Sequence, residues 1–280
     1  FAAHITRLSY ESTDLDEDDF DRFTLLYNHQ TSGEETQVPP DIAVCPDCLR
    51  DRMTQPHRMS NPFVSCAHCG PRYSITKSLP YERSQTTLAD FPLCSTCQEE
   101  FNDLRNRRFL AQPIGCNQCG PHYYATYKEK TMTDYEELLR LSAHLLLKGE
   151  VIACKGLGGY YLVCDATQES AVEKIRRLKR QKRKPFAVMF RDLDHLKVYA
   201  YTEPMEEQCL TSWRRPIVLL RQRGYLAASV NSGMHTLGCL LPYLPIHYDW
   251  FSRTGLPALA MTSVNERNLP IRTSASDLEA

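Results

Sequence analysis

The 280-residue chain carries a formal net charge of -1, with 42% hydrophobic and 24% charged residues. That balance excludes disorder along the whole chain, and it excludes a global basic field that would draw the protein to nucleic acid or membrane. No apolar run approaches the roughly 18–20 residues a membrane helix needs; the best candidate, 138–147, is interrupted by Arg140 and His144.

The chain is long enough for more than one domain. It begins with Phe1, and residues 1–7 lack a basic segment followed by an apolar run, so no signal peptide is expected. A start at Phe rather than Met predicts a segment excised from a longer protein. Residues 1–40 mix a short apolar stretch with acidic residues at 14–21, then polar residues, and Pro39-Pro40 marks a boundary.

Residues 41–124 contain an internal repeat. CPDC and NPFVSCAHCGPRYS in the first copy answer to CSTC and AQPIGCNQCGPHYY in the second. Eight of the 12 cysteines fall here in four C-x-x-C pairs. Cys45/Cys48 and Cys66/Cys69 are separated by 17 residues, Cys94/Cys97 and Cys116/Cys119 by 18. These intervals match the four-cysteine zinc template. Two residues between ligands let one tight turn aim both sulfurs at one ion, and a second turn completes the tetrahedron. Gly70 and Gly120, each after the second pair, are expected to take positive φ. Four thiolates leave no open coordination position, so each site is expected to be structural. Redox pairs, disulfides or an iron–sulfur cluster are the alternatives. His57, His68 and His122 read as surface histidines. The Arg105, Arg107 and Arg108 cluster reads as a solvated face rather than an RNA groove.

Beyond residue 133 the paired cysteines stop, and helical and strand patterns alternate. A helix is predicted over 134–147, capped by Thr133 or Asp134 and stopped by Gly149; strands follow over 151–154 and 160–163. A helix over 169–178 and strands over 186–190, 217–220 and 258–261 complete an α/β unit with a largely parallel or mixed sheet. Cys154, Cys164, Cys209 and Cys239 sit in largely apolar settings and read as core thiols. Asp165, just past the glycine-rich turn, is expected to cap the next helix or to position a ligand.

CAHCGPRYS, CNQCGPHYY and KGLGGYYLVCDA, together with the Arg107-Arg108-Phe109 stretch that leads to Gln112-Pro113, resemble the hydrogenase maturation carbamoyltransferase family HypF. The resemblance covers nearly the whole chain. It implies duplicated four-cysteine zinc-finger modules followed by a YrdC-like α/β domain with a twisted mixed sheet. Residues 1–35 would be the remnant of an acylphosphatase-like domain, 41–124 the paired fingers, and 133–280 an incomplete YrdC-like nucleotide-binding domain. The chain would then be a middle fragment in a reducing cytoplasm, holding two structural zinc ions and free of membrane. Its implied chemistry joins ATP, as the magnesium complex, to carbamate from carbamoyl phosphate, giving carbamoyl-adenylate. The carbamoyl group would pass to the C-terminal cysteine of a HypE-like acceptor.

The implied nucleotide site comprises Lys155, Gly158 and Gly159 of the glycine turn, Lys179 and Arg180 of the basic run, and Ser263 and Asn265 after the last strand. Glycines admit close backbone approach, and the cations face a polyanion. Without the resemblance, the glycines read as an ordinary turn and most of residues 174–184 as a solvated helix face. Three departures from the family pattern stand out. Tyr161 replaces the usual histidine, Gln181 stands where arginine is expected, and Val264 replaces glycine ahead of Glu266-Arg267-Asn268. A threonylcarbamoyl-adenylate synthase of the YrdC class, or a non-catalytic zinc scaffold binding RNA or protein, remain alternative readings.

Overall fold

The computed structural model describes residues 37–181, 183–265 and 269–276. The expected acylphosphatase-like remnant at 1–35 and the departure at Glu266, Arg267 and Asn268 lie outside the described residues.

Each finger begins with a cysteine followed by a helix. Cys45 is the N-cap of α1 (Pro46–Thr54): its Sγ accepts the Cys48 N–H at 3.4 Å, and Pro46 follows in the first turn, where its missing N–H costs nothing. Cys94 stands in the same place before α2 (Ser95–Asn102). Loops and short 3-10 turns connect these helices to the second cysteine pairs. A hairpin of β1 (Ala125–Tyr127) and β2 (Lys130–Met132) then leads out of the finger region. Its two-residue turn holds Lys128 and Glu129 at φ 48° and 66°.

The remainder contains α3 (Tyr135–Leu147), β3 (Ile152–Lys155), β4 (Tyr160–Asp165), α4 (Glu169–Lys179), β5 (Ala187–Phe190), α5 (Leu193–Tyr199), α6 (Pro204–Thr211), β6 (Val218–Arg221), β7 (Thr236–Leu240), α7 (Pro245–Thr254) and β8 (Ala258–Ser263). The six-stranded sheet runs β3-β4-β8-β5-β7-β6 and is mixed: β5 pairs parallel with β7, and the other neighbours are antiparallel. Strand alternation divides the core. Val163, Met189, Leu259 and Met261 join Leu139, Leu146, Trp250 and Phe251 of α3 and α7 on one face. Leu162, Cys164, Val188, Phe190 and Ala260 join Val172 and Ile175 of α4 on the other, with Leu196 of α5 and Leu210 of α6.

The α3 cap is Asp134, whose carboxylate accepts the Glu137 N–H at 2.8 Å. Asp165 is buried and accepts from Thr167 N, Thr167 Oγ1 and Gln168 Nε2 at 2.8, 2.7 and 2.9 Å, bracing the turn into α4 while Gln168 holds the N-cap position. Three of the expected core thiols are buried; Cys209 is exposed, because it lies on the outer side of α6, where only Leu210 is buried. Among the described residues no helix is long and apolar enough to cross a membrane.

The finger region is docked on this α/β unit. The Ala43 and Val44 N–H groups donate to Trp213 O and Tyr243 O at 3.0 and 3.1 Å, and the Tyr123 hydroxyl donates to Lys155 O at 3.0 Å. Arg52 of α1 makes a two-pronged pair with Asp249 of α7, both contacts at 2.7 Å.

Candidate metal centres and a cavity at the glycine turn

The eight paired cysteines come together as two groups, Cys45/Cys48/Cys66/Cys69 and Cys94/Cys97/Cys116/Cys119, each with all four sulfurs within 4.8 Å of one another. Adjacent sulfurs are 3.6–3.9 Å apart in the first group; in the second, Cys94–Cys116 and Cys116–Cys119 are 3.6 and 3.7 Å apart. A tetrahedron with metal–sulfur bonds of about 2.3 Å has edges of about 3.8 Å, whereas a disulfide would bring two sulfurs to about 2.05 Å. Both groups therefore fit a tetrahedrally coordinated ion, and all eight thiols are free of disulfides.

The knuckle glycines differ. Gly70 adopts φ 98°, as expected, but Gly120 does not take positive φ. A side chain at Gly120 would put its Cβ 2.9 Å from the Cys116 carbonyl oxygen, so close packing of the turn requires glycine there.

Arg107 and Arg108 do not form a solvated face. Arg108 is buried; its Nε donates to Ser65 O at 3.1 Å and its fork to Asp51. Arg107 pairs with the same carboxylate and sends Nη1 and Nη2 to Cys48 Sγ, both at 3.5 Å. Only Arg105 projects into solvent. His68 and His122 are exposed, but His57 is half-buried and lies 3.6 Å from Glu100.

A second feature is a cavity of about 500 Å³ beside the glycine turn that joins β3 to β4. Gly158 and Gly159 line it from the turn, Tyr161 and Ser263 from the sheet, Arg214 and Arg215 from the loop before β6, and Asp41 and Ser74 from the finger region. Gly159 is pressed against the returning segment 269–276, and a Cβ there would lie 3.0 Å from Arg272 O. Tyr160 N and Arg272 N donate to Arg272 O and Val264 O at 2.9 and 2.8 Å, so this segment runs alongside the turn.

The proposed nucleotide-site residues divide into three groups. Lys179, at the end of α4, donates its ammonium hydrogens to Ser263 O at 2.8 Å, Asn265 O at 2.5 Å and Asn265 Oδ1 at 2.9 Å. Ser263 Oγ also donates to Asn265 Oδ1 at 2.8 Å, so these three residues form one polar cluster. Burial holds the Lys179 pKa below its ordinary value, with neighbouring Lys184 acting in the same sense. Lys155 turns its ammonium over the Tyr160 ring and to Thr273 O, facing a smaller, mainly apolar cavity of about 260 Å³ under the fingers. Arg180 lies apart from both, as the left-handed C-cap of α4, exposed beside Arg176, Arg177 and Gln181.

Two features were not read from sequence. Arg214 and Arg215 supply cationic groups to the large cavity, and the only signal for them is a basic pair before a strand. Tyr161, in the cavity wall, has its hydroxyl 2.9 Å from Nε2 of fully buried His247. His247 Nδ1 accepts the Leu244 N–H at 3.3 Å, which places the ring proton on Nε2 and aims it at Tyr161. Burial depresses the imidazole pKa to about 3, so the ring is neutral.

Paired four-cysteine groups, each fit for one tetrahedrally coordinated ion, docked on a mixed-sheet α/β unit with a cavity at a glycine turn, define a protein with two candidate structural metal sites beside a candidate binding cavity. The family described as "Telomere recombination", comprising Sua5, YciO and YrdC, matches residues 144–280; the family described as "HypF finger" matches 44–76 and 93–126. The chain is 42% identical over 239 residues to the carbamoyltransferase HypF of Rhodobacter capsulatus, covering 85% of this chain and 32% of that protein. It is 34% identical over 260 residues to the probable carbamoyltransferase HypF of Methanocaldococcus jannaschii, covering 91% of this chain and 33% of that one. The T. kodakarensis HypF crystal structure is similar at a TM-score of 0.82 and 40% identity, covering 88% of this chain and 32% of that one. A full-length HypF in a phosphate- and nucleotide-bound form matches at 0.80 and 38%, with the same coverage. The chain belongs to the HypF family, and it spans about a third of the length of the curated relatives it matches.

Proposed function

We propose that this chain is the zinc-binding and adenylate-forming part of a HypF-type carbamoyltransferase, acting in the cytoplasm. In this reading residues 41–124 are the paired fingers, each holding one structural Zn²⁺, and residues 133–280 are the nucleotide-binding domain. The observation that carries it is the cavity at the glycine turn, roomy enough for a small activated acid and its phosphates, whose lining residue Ser263 is tied to Lys179 and Asn265 in one polar cluster. ATP enters as its magnesium complex. A carbamate oxygen, released from carbamoyl phosphate, attacks the α-phosphorus; the bond to the β-phosphate oxygen breaks, and pyrophosphate leaves. Such a step asks the protein for alignment and positive potential rather than proton transfer. Lys179, Arg214 and Arg215 would supply charge, Gly158 and Gly159 close backbone approach, and Ser263 and Asn265 polar contacts to the acyl group. Lys155 and Arg180 would act at longer range, on the incoming acid and the outgoing phosphates respectively. The product would pass its carbamoyl group to the sulfur of the terminal cysteine of a HypE-like acceptor protein, the bond from the carbamoyl carbon to the phosphate oxygen breaking and AMP leaving.

The test is exchange of labelled pyrophosphate into ATP. Exchange that requires carbamoyl phosphate, or bicarbonate with ammonia as a direct source of carbamate, and that disappears in Lys179→Met, supports the assignment. Exchange that requires threonine and bicarbonate would reassign the site to threonylcarbamoyl-adenylate synthesis. RNA retention without any exchange would leave a binding scaffold.

A further inference from the structure

The two fingers meet through contacts that recur with roles exchanged, as across an approximate twofold axis. Arg58 of the first finger sends Nη2 to Cys97 Sγ of the second at 3.5 Å, pairs with Glu100 three residues beyond that cysteine, and donates Nε to Gly115 O at 3.3 Å. Arg108 of the second finger sends Nη2 to Cys48 Sγ of the first at 4.0 Å, pairs with Asp51 three residues beyond, and donates Nε to Ser65 O at 3.1 Å. The backbone repeats the exchange: Ala67 N donates to Arg107 O at 3.2 Å, and Asn117 N to His57 O at 3.0 Å. Ser60 and Leu110, each two residues past its arginine, share the left-handed conformation at φ 55° and 50°.

Four thiolates around one divalent cation leave a net negative charge, and burying that charge is costly unless it is paired. The side chain of Arg58 is 0% exposed and that of Arg108 2%. Each guanidinium is itself a buried charge that needs the cluster and carboxylate of the opposite finger. Donors outside the ligand set of this kind commonly change metal affinity about 10–100-fold when removed.

We propose that Arg58 and Arg108 are positioning residues that make the two metal sites one cooperative unit, each finger's thiolate cluster being neutralised by the other finger's arginine, so that two zinc ions are bound and lost together. Losing one ion releases a knuckle, which strands a buried arginine and withdraws its partner from the remaining cluster. Coupling of this kind is reciprocal: each ion strengthens the binding of the other by the same factor.

This inference rests on the zinc reading, and one experiment separates the two. The protein is loaded with substoichiometric zinc and analysed by native mass spectrometry. A one-zinc species rarer than independent sites would give supports the coupling. A one-zinc species at the independent-site level, in protein that still reaches two zincs at saturation, overturns the coupling alone. Failure to bind zinc at all overturns both readings. Affinities in variants add a second readout. Cys94→Ser/Cys116→Ser should weaken zinc at the intact first site by roughly 5–150-fold, the range of site–site couplings. Arg58→Met should weaken the second site by about 10–100-fold although it removes no ligand, with Arg58→Lys recovering part of the loss. Unchanged affinity in these variants would overturn the proposal, and the wild-type measurement stands even where a variant does not fold.

Discussion

The Arg52–Asp249 pair ties the first finger helix, α1, to α7 of the α/β unit. Its side chains are 8% and 17% exposed. Both prongs measure 2.7 Å, the Tyr135 hydroxyl donates to the same carboxylate at 2.7 Å, and Arg52 Nε donates to Asn61 O at 3.1 Å. Burial works against the Arg52 charge, but its bonds to Asp249 outweigh that and hold its pKa above the ordinary value. Asp249→Asn keeps the shape and removes the charge, leaving a buried cation with one carbonyl partner and an amide. Breaking one side of such a pair costs about 3–5 kcal/mol. For a chain of this size each kcal/mol moves the midpoint by about 2–4 °C, so the variant should melt roughly 6–20 °C lower. The assay is thermal unfolding of metal-saturated protein followed by tryptophan fluorescence, with metal content checked to be equal. Arg52→Met/Asp249→Leu should recover most of the loss, because apolar groups of similar volume commonly replace a buried ion pair at little cost. A midpoint for Asp249→Asn within about 2 °C of wild type would refute the claim that this pair fastens the fingers to the α/β unit.

Three further outcomes follow from the cavity and its supports. Lys179→Met should raise the Kd for ATP roughly 10–100-fold in a calorimetric titration, the range expected when a charge-assisted contact is removed, with little change in secondary structure. Gln181→Arg should tighten ATP binding, because a guanidinium adds fixed charge and a two-pronged phosphate contact that an amide lacks; unchanged affinity would separate the Arg176–Arg180 surface from the nucleotide site. His247 should make stability pH-dependent. The unfolded imidazole takes up a proton near 6.5 and the folded one only near 3. Stability is therefore complete above 6.5 and falls as pH drops through that window, by about 1.4 kcal/mol per unit, or about 2 kcal/mol by pH 5. Urea titrations of wild type and His247→Gln at pH 7 and 5 measure the difference, in which proton competition at the metal thiolates cancels; parallel losses would remove His247 as the cause.

The repeat of paired cysteines made the two four-sulfur groups legible, because ligand spacing within a knuckle is local chain geometry. The strands at 160–165, 187–190 and 258–263 were legible because buried β-residues form continuous apolar runs. Helices α5, α6 and α7 were not read. α5 and α6 are short and bury one residue each, Leu196 and Leu210, too few to show a periodicity. The hairpin at 125–132 turns on Lys128 and Glu129, which take positive φ without the asparagine or glycine that would have announced it. The arginine cluster was misread for a different reason. A charge run signals a solvated face only while nothing buried can pair it, and the partners Asp51 and Cys48 lie more than fifty residues away in sequence.

These contacts make the finger region part of the cavity rather than an appended module. Ile42 exchanges backbone hydrogen bonds with Gly70, immediately after the last cysteine of the first group. Its neighbour Asp41 accepts the Arg72 and Ser74 N–H groups at 2.7 and 3.1 Å, and the Ser74 hydroxyl donates to the same carboxylate. Asp41 and Ser74 line the cavity together with Gly158, and Val44 N donates to the backbone oxygen of Tyr243, which lines the same cavity. An ion held by Cys66 and Cys69 would brace the turn that carries Gly70, and through Ile42 and Asp41 it would brace one side of that cavity. A metal with no open coordination position can still govern the chemistry next to it, through the shape of the cavity rather than through any bond to the substrate.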